Sequence, residues 1–396
     1  MKITDIFFNR NQVGYVGATV RITLEYSDKV DENCPKKLIA KMGNENQMMR
    51  SFFAKYRTYE KEVDIYKHYS VGKVEFPVPI AKCFFADINK KDGNNIILLE
   101  DLNLRGLRVG DSVLGEYFYL FLIYFHFFYF YLFLFIFIYF YFILFFIFIY
   151  FYLFLKIKIK GATKEQVFSV LNYLSVFHAY FWDNLGDKVD WIDLPMREFN
   201  RTNSISMMTT VSERFFNYHS EIFPPKLLEK LKNFKVEKFL DILNQRQQHK
   251  TLVHGDSHIN NVLFSQDCSQ VIFVDWQLIN YGLCTSDLIY FSVFSCTSEF
   301  VNLHFDSMKD SYYNNLVKSA REGSSLSGYS RENFEDDILF SFNLLAYFTI
   351  LLGSSTAPTN KEEENETVKR AYTIVMNFLN RFINMAEKIG IDKLLL

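Results

Sequence analysis

Residues 117–155 consist of 16 Phe, 9 Tyr, 7 Leu, 6 Ile and one His, and nothing else. No other stretch of the 396-residue chain constrains its fold so strongly. A run this long and apolar either crosses a membrane or is not part of the folded molecule. Length alone argues for a membrane span, since about 18 or more consecutive apolar residues suffice. Composition argues against one. Spans use small residues to pack helices and keep Tyr and Trp for the interfaces, whereas here Ala, Gly, Ser, Thr and Val are missing and Tyr runs through the middle. Phe, Tyr, Ile, Leu, Lys and Asn are the residues that codons built only from A and T can encode, and the flanking "KIKIK" at 156–160 continues the bias. A GGT codon at Gly115 would supply a splice donor, and the Lys160/Gly161 boundary an AG acceptor. Excision there joins "GDSVLG" to "ATKEQ" in frame. Residues 116–160 are therefore expected to be a retained intron. The chain is expected to meet no membrane unless 117–155 is truly expressed.

The rest of the chain has the composition of an ordinary globular protein. A net charge of −2 offers no footprint for nucleic acid. The five cysteines, Cys34, Cys83, Cys268, Cys284 and Cys296, have neither metal nor redox spacing, which suits a reducing, cytoplasmic compartment. "MKITDIFF" lacks the apolar core and small-residue cleavage site of a signal peptide.

Before the insert, the pattern is β-rich. "GYVGATVRITLEY" (14–26) leaves a Gly-bearing turn and alternates Val20, Ile22 and Leu24 against Arg21 and Thr23, as a strand does. "KKLIAKM" (36–42), "FPVPIAKCFF" (76–85) and "NNIILLEDL" (94–102) read as further strands. Between them, Met49, Phe52, Phe53, Tyr56, Tyr59, Val63 and Tyr66 recur at helical spacing and predict one helix. After the insert, 162–182 opens with Thr163 and Gln166 in capping-box spacing, and further helices are expected at about 226–248, 336–352 and 365–388. "ILFSFNLLAYFTILLG" (338–353) is short and carries Ser, Asn and Thr, so it reads as a buried core helix. The order is an α+β chain of two lobes: residues 1–101, a connector at 102–115, the insert, and a larger, mainly helical lobe at 161–396.

The chemistry is concentrated in "LVHGDSHINNVLF" (252–264) and "VIFVDWQ" (271–277). Each places polar groups at the end of a short apolar strand. Asp256 is followed five residues later by Asn261, and Asp275 comes fourteen after that. Phosphoryl transfer from ATP needs such a set: an acid to accept or orient the proton of the attacking hydroxyl, and an amide and a second acid to hold Mg²⁺ by oxygen. The small lobe would then supply a cation for the phosphates, Lys41 on the second strand, and an acid to orient it, Glu62 on the helix. Gly14 and Gly17 would let backbone approach the phosphates. His254 is expected to be structural, and His258 and His126 to have no catalytic role.

These residues resemble the ecdysteroid kinase-like (CHK kinase-like) family, related to choline kinases and aminoglycoside phosphotransferases. "EKEVDIY" (60–66), "ILLEDL" (97–102), "LSVFHA" (174–179), "HGDSHINNVLF" (254–264) and "DWQ…DLIYF" (275–291) carry the resemblance. It implies a protein-kinase-like fold, a small antiparallel β-lobe with one helix beside a larger helical lobe. It implies Asp256 as catalytic base, Asn261 and Asp275 as Mg²⁺ ligands, and Lys41 with Glu62 as the phosphate-binding pair. Glu100 and Leu102 fall in the hinge whose backbone meets adenine. Family members usually carry a longer lead before the Gly turn, which implies a start further upstream. The partner implied is a small-molecule alcohol, sterol-like or other. A protein kinase is disfavoured because only eleven residues separate Asp275 from Asp287, which is expected to cap the next helix, leaving no room for an activation loop. An inactive binding module of the same fold is the competing class, as is a choline- or aminoglycoside-type kinase. Intact Asp256, Asn261, Asp275, Lys41 and Glu62 count against an inactive module.

Overall fold

The computed structural model describes residues 3–13, 17–27, 34–55, 57–70, 76–110, 161–183, 208, 211–245, 250–356 and 366–394. The aromatic run, Gly14 and His126 lie outside the described residues. The chain folds as a small β-lobe and a larger helical lobe, an α+β arrangement.

The small lobe is a five-stranded antiparallel sheet of order β1-β2-β3-β5-β4. Its strands are β1 (Ile3–Val13), β2 (Gly17–Tyr26), β3 (Lys37–Gly43), β4 (Cys83–Ile88) and β5 (Asn95–Glu100). The sequence reading began the sheet at the Gly turn, but the residues before it form an edge strand paired along β2. Strand alternation divides the sheet's residues between two faces. Val20, Ile22, Leu38 and Ala40 make a small apolar cluster on one face. Ile97 and Leu99, on the other, join the main core.

Two helices follow β3, where the periodicity predicted one. These are α1 (Gln47–Lys55) and α2 (Thr58–Ile65), and α2 runs on into a π-turn at Tyr66–Ser70. The break falls at Arg57, which takes left-handed backbone (φ 55°) and turns its guanidinium onto Glu60 at 2.9 Å. Neither Gly nor Pro marks this site, so the apolar spacing ran through it unbroken. Tyr59, Val63 and Tyr66 of the expected stripe are buried.

In the larger lobe, α3 (Lys164–Phe181) starts with the expected capping box: Gln166 donates its amide to Thr163, and Thr163 donates its own to the Gln166 side chain. The segment expected as one helix at 226–248 is α4 (Pro225–Asn233) and α5 (Val236–Gln245). Then come α6 (Thr285–Ser295), α7 (Ser298–Lys318), α8 (Arg331–Thr356) and α9 (Glu366–Ile389). The long α7 was not anticipated. The apolar α8 is a core helix, with Phe340, Phe342 and Ala346 fully buried. Among the described residues, no helix is long and apolar enough to cross a membrane.

Two small sheets carry the motif loops. β6 (Arg108–Val109) pairs with β8 (Val262–Phe264), which pairs in turn with β9 (Val271–Phe273). The end of the connector is thereby stitched to the large lobe. β7 (Lys250–Val253) pairs antiparallel with β10 (Asn280–Leu283). One core runs through both lobes: Trp276, fully buried, packs edge-on to Phe76 at 5.4 Å and beside Phe177 at 5.5 Å.

Candidate active site

Lys41 lies on the central strand β3, opposite Ile97 of β5, so alternation turns it toward α2 rather than toward the outer cluster. Glu62 on α2 is 1% exposed, and its Oε1 accepts from Lys41 Nζ at 2.5 Å. The same ammonium donates to Asp275 Oδ1 at 3.2 Å, across 234 residues of sequence. Burial pushes the Lys41 ammonium down, and the carboxylates of Asp275 and Glu62 together hold it above its ordinary value. Burial raises Glu62 above the usual carboxylate range, against the pull of Lys41 and a hydrogen bond from Gln277. Three charges from β3, α2 and the turn after β9 thus meet at the junction of the lobes.

The second group forms where β7 ends. Gly255 takes φ 79°, and a Cβ there would meet the carbonyl of Leu278 at 2.3 Å, so only glycine fits. The turn it permits presents Asp256. Tyr290 Oη donates to Asp256 Oδ1 at 2.8 Å, and Asn261 Nδ2 donates to Oδ2 at 3.0 Å. His258 Nε2 stands 3.6 Å from the same Oδ2. Burial would raise the Asp256 carboxyl, but His258 and the Tyr290 hydroxyl outweigh it and bring it down to about 2. Asp256 is therefore a carboxylate at neutral pH.

Asn261 Nδ2 also donates to the Asp256 carbonyl at 2.9 Å, so both amide hydrogens are committed and Oδ1 is the atom left to meet a cation. The backbone joins Asn261 to the neighbourhood of Asp275: Val274 N donates to Asn261 O at 2.9 Å. Asp275 itself adopts left-handed backbone at φ 66°, ψ 64°, a conformation that costs a non-glycine residue energy and recurs at functional sites. These are hard oxygen donors, two from the chain. Mg²⁺ is held by one or two protein carboxylates or amides together with substrate phosphates, so the pair fits it. Among the described residues, no group of three or more His, Cys, Asp or Glu could hold a metal by itself.

His254, fully buried, ties the two motif segments together. Its Nε2 donates to the Val274 carbonyl at 3.2 Å and its Nδ1 accepts from the Asp256 amide at 3.3 Å. Burial lowers its pKa, so it stays neutral. The structural role expected for it is the one it has.

Two buried residues missed by the sequence reading hold this loop. Asp287 was expected to cap a helix. It lies in the first turn of α6 but makes no cap; its carboxylate turns back, accepting from His254 N at 2.7 Å and Gly255 N at 3.0 Å. Its backbone carbonyl accepts from Ser257 Oγ at 3.0 Å. His178 of α3, whose ring also bonds Tyr312 Oη at 2.5 Å, reaches Asp287 Oδ2 at 3.1 Å. Burial would raise Asp287, yet His178 and the backbone N–H of His254 hold it below the usual carboxylate range. Both residues sit in quoted stretches, "LSVFHA" and "DLIYF". The available signal was a charged residue inside an otherwise apolar run, which must find a partner when buried.

The remaining expected residues make contacts of their own. Gly17 opens β2, and a Cβ on it would meet the Met42 carbonyl at 2.3 Å, so its missing side chain serves strand pairing. Glu100 ends β5; its side chain accepts from Lys82 N at 2.8 Å and pairs with Arg105 at 3.2 Å. Leu102 is buried and begins a 3-10 turn that Asp101 caps.

Several known proteins resemble the chain. An amicoumacin kinase, hAmiN, solved with AMP-PNP, Ca²⁺ and Ami, aligns over 94% of this chain and 88% of its own at 11% identity and a TM-score of 0.43. A choline kinase from Cryptosporidium parvum aligns over 97% and 90% at 9% identity and 0.43. Wild-type aminoglycoside 2'-phosphotransferase-IIIa, as its GDP complex, aligns over 96% and 94% at 10% identity and 0.45. No curated protein matches significantly. The sequence model of the ecdysteroid kinase-like family matches residues 12–115 and 156–323, a span that holds Lys41, Glu62, Asp256, Asn261, Asp275 and Asp287. The chain belongs to the ecdysteroid kinase-like family.

Proposed function

We propose that the protein is a small-molecule kinase that moves the γ-phosphoryl group of ATP to the hydroxyl of an alcohol. The observation that carries this reading is the meeting of Lys41, Glu62 and Asp275 at the lobe junction, beside an ionised Asp256 tied to Asn261. Lys41 binds phosphate oxygens, and Glu62 orients it. Asn261 Oδ1 and the Asp275 carboxylate hold Mg²⁺, which when bound offsets the charge that develops on the phosphates. The backbone of Glu100–Leu102 takes the adenine, and Gly14 and Gly17 would let backbone approach the phosphates. Asp256 orients the acceptor hydroxyl and takes its proton as the oxygen attacks the γ-phosphorus. The acceptor is a small alcohol, sterol-like in the first instance. In support, the segment after Asp275 passes through the turn Trp276–Leu278 and β10 straight into α6, leaving no loop to dock a peptide.

The acting chain is the one in which residues 116–160 are spliced out. Two observations support this. The family match passes over 116–155. The flanks also lie against one surface: Gly110 abuts the Ile259 side chain, Ile259 N donates to Ser295 Oγ at 2.9 Å, and Ala162 N donates to Ser295 O at 2.8 Å. Five residues, 111–115, reach about 17 Å when extended. Transcripts sequenced across the region should lack the insert; full-abundance messages that carry it would return the membrane reading.

The activity test uses protein with Gly115 and Gly161 merged, Mg²⁺ and γ-labelled ATP. The acceptors are ecdysteroids and other sterols, choline, ethanolamine, aminoglycosides and a generic protein. Label should pass to one alcohol class and not in Asp256→Asn. Label on the protein acceptor alone, or no transfer and no ATP binding, would overturn the reading.

A further inference from the structure

Tyr290 has no role in the account above beyond its contact with Asp256, yet the fold goes to some length to place it. It sits three residues after Asp287 on α6, so both project from one face of that helix toward the same loop. Asp287 holds the loop's backbone at His254 and Gly255. Tyr290 holds the side chain that this backbone presents. Its ring is fixed by a column of near-parallel aromatics: it stacks on Phe294 at 4.2 Å, and Phe294 stacks on Phe378 of α9 at 4.4 Å. Arg381, one turn further along α9, donates to the Phe294 carbonyl at 2.9 Å and secures the end of α6. The hydroxyl at the tip of this column meets Asp256 Oδ1, while Asn261 and His258 address Oδ2. A carboxylate gripped on separate oxygens by groups from different elements cannot rotate about its Cβ–Cγ bond.

We propose that Tyr290 is a positioning residue for phosphoryl transfer, holding Asp256 at one rotation so that a lone pair of Oδ1 faces the acceptor hydroxyl. In the step, the acceptor oxygen bonds to the γ-phosphorus and its proton passes to Asp256 Oδ1. The bond from the γ-phosphorus to the β–γ bridging oxygen breaks, and its electron pair leaves with ADP. Tyr290 keeps its own proton throughout, and burial together with the Asp256 charge holds its hydroxyl in the donating form. This rests on the phosphotransferase reading.

The test is Tyr290→Phe, which retains the ring and its stack and removes only the oxygen. Initial rates are measured with Mg·ATP and the panel alcohol that accepts label, or with water as acceptor if none does. A hydrogen bond to a charged group held only in the correct geometry predicts a fall in kcat of about ten- to a hundredfold. KM for ATP and the melting temperature should stay at wild-type values. Phe294→Leu, which loosens the column but keeps the hydroxyl, should lower the melting temperature and reduce kcat less than Tyr290→Phe does. Wild-type kcat in Tyr290→Phe, with Asp256→Asn inactive, overturns the positioning role and leaves the kinase reading standing. A loss of kcat in Tyr290→Phe matched by an equal loss of folded protein also overturns it. Wild-type protein no more active than Asp256→Asn overturns the kinase reading and this inference together.

Discussion

The two halves of the candidate site are built in different ways. At the lobe junction, Lys41 is held through side chains alone, each from a different element: Glu62 from α2 and Asp275 from the turn after β9. In the large lobe, the loop that presents Asp256 is held largely through its backbone. His254, Gly255 and Ser257 are bonded to Asp287, and the Asp256 amide is bonded to His254. The first arrangement depends on charge at close range and can be redrawn when phosphates arrive, because Asp275 is 36% exposed and its hold on Lys41 is a single contact. In the second, two backbone amides donate to the buried Asp287 carboxylate and Ser257 donates to its carbonyl, and such networks are stiff because each member would be costly to leave unpaired. The difference makes the Asp256 loop the rigid half and the Lys41 cluster the adaptable one.

The largest effect expected is at the base. Asp256→Asn should cut transfer by about 10²–10⁴-fold, the range for removing a positioned general base, with ATP binding retained by equilibrium titration. Loss of ATP binding in this variant would mean the two halves are not separable.

Next is the buried anchor. Asp287→Ala removes the acceptor for two loop amides and leaves His178 without its carboxylate. Leaving these buried amides without an acceptor should cost about 1–3 kcal/mol for each in urea unfolding. Activity should fall as well, since the loop loses its backbone anchors. An unfolding midpoint within error of wild type would show that the loop holds itself.

Lys41→Met should reduce kcat/KM for ATP by about 10²–10³-fold, the range for losing one electrostatic stabiliser. Stability should change much less than in Asp287→Ala, because Glu62, already raised by burial, can take up a proton when its cation is gone. If Lys41→Met unfolds as readily as Asp287→Ala, the contrast between the two halves fails.

The smallest effect concerns pH. His254 is buried neutral with its pKa lowered, so below about 6.5 the unfolded chain binds a proton that the folded chain refuses. The stability it contributes is complete above that pH and drains away as pH falls toward its folded value. His258 runs the other way: burial lowers it, the Asp256 carboxylate more than offsets this, and its contribution is lost as pH rises through its elevated folded value. On going from pH 7.5 to 5.5, the urea midpoint should therefore fall less, or rise, in His254→Gln compared with wild type. An unchanged slope would place the acid sensitivity elsewhere.

Much of this was legible in the residues. Alternation along "KKLIAKM" set Lys41 on the face opposite Leu38 and Ala40, and helical spacing buried Tyr59, Val63 and Tyr66 beside Glu62. The spacing of Asp256, Asn261 and Asp275 at the ends of apolar strands marked them as one set. The capping box at Thr163 and the core character of α8 were also readable, because each depends on residues within a few positions of one another.

What the chain by itself determined, then, is which polar groups stand at the ends of its apolar strands and which face of its own element each occupies. Period and spacing are local, and side-chain type encodes them directly. The tertiary structure alone decided who meets whom. It broke the small-lobe helix at Arg57 without a Gly or Pro to announce it. It turned Asp287 from the expected cap into the anchor of a loop some thirty residues earlier, and brought Tyr290 onto Asp256. A backbone amide is the same group at every position, so an acid that will bind amides elsewhere in the chain carries no local mark of its partners. Only the packing of α6 against the loop supplies them.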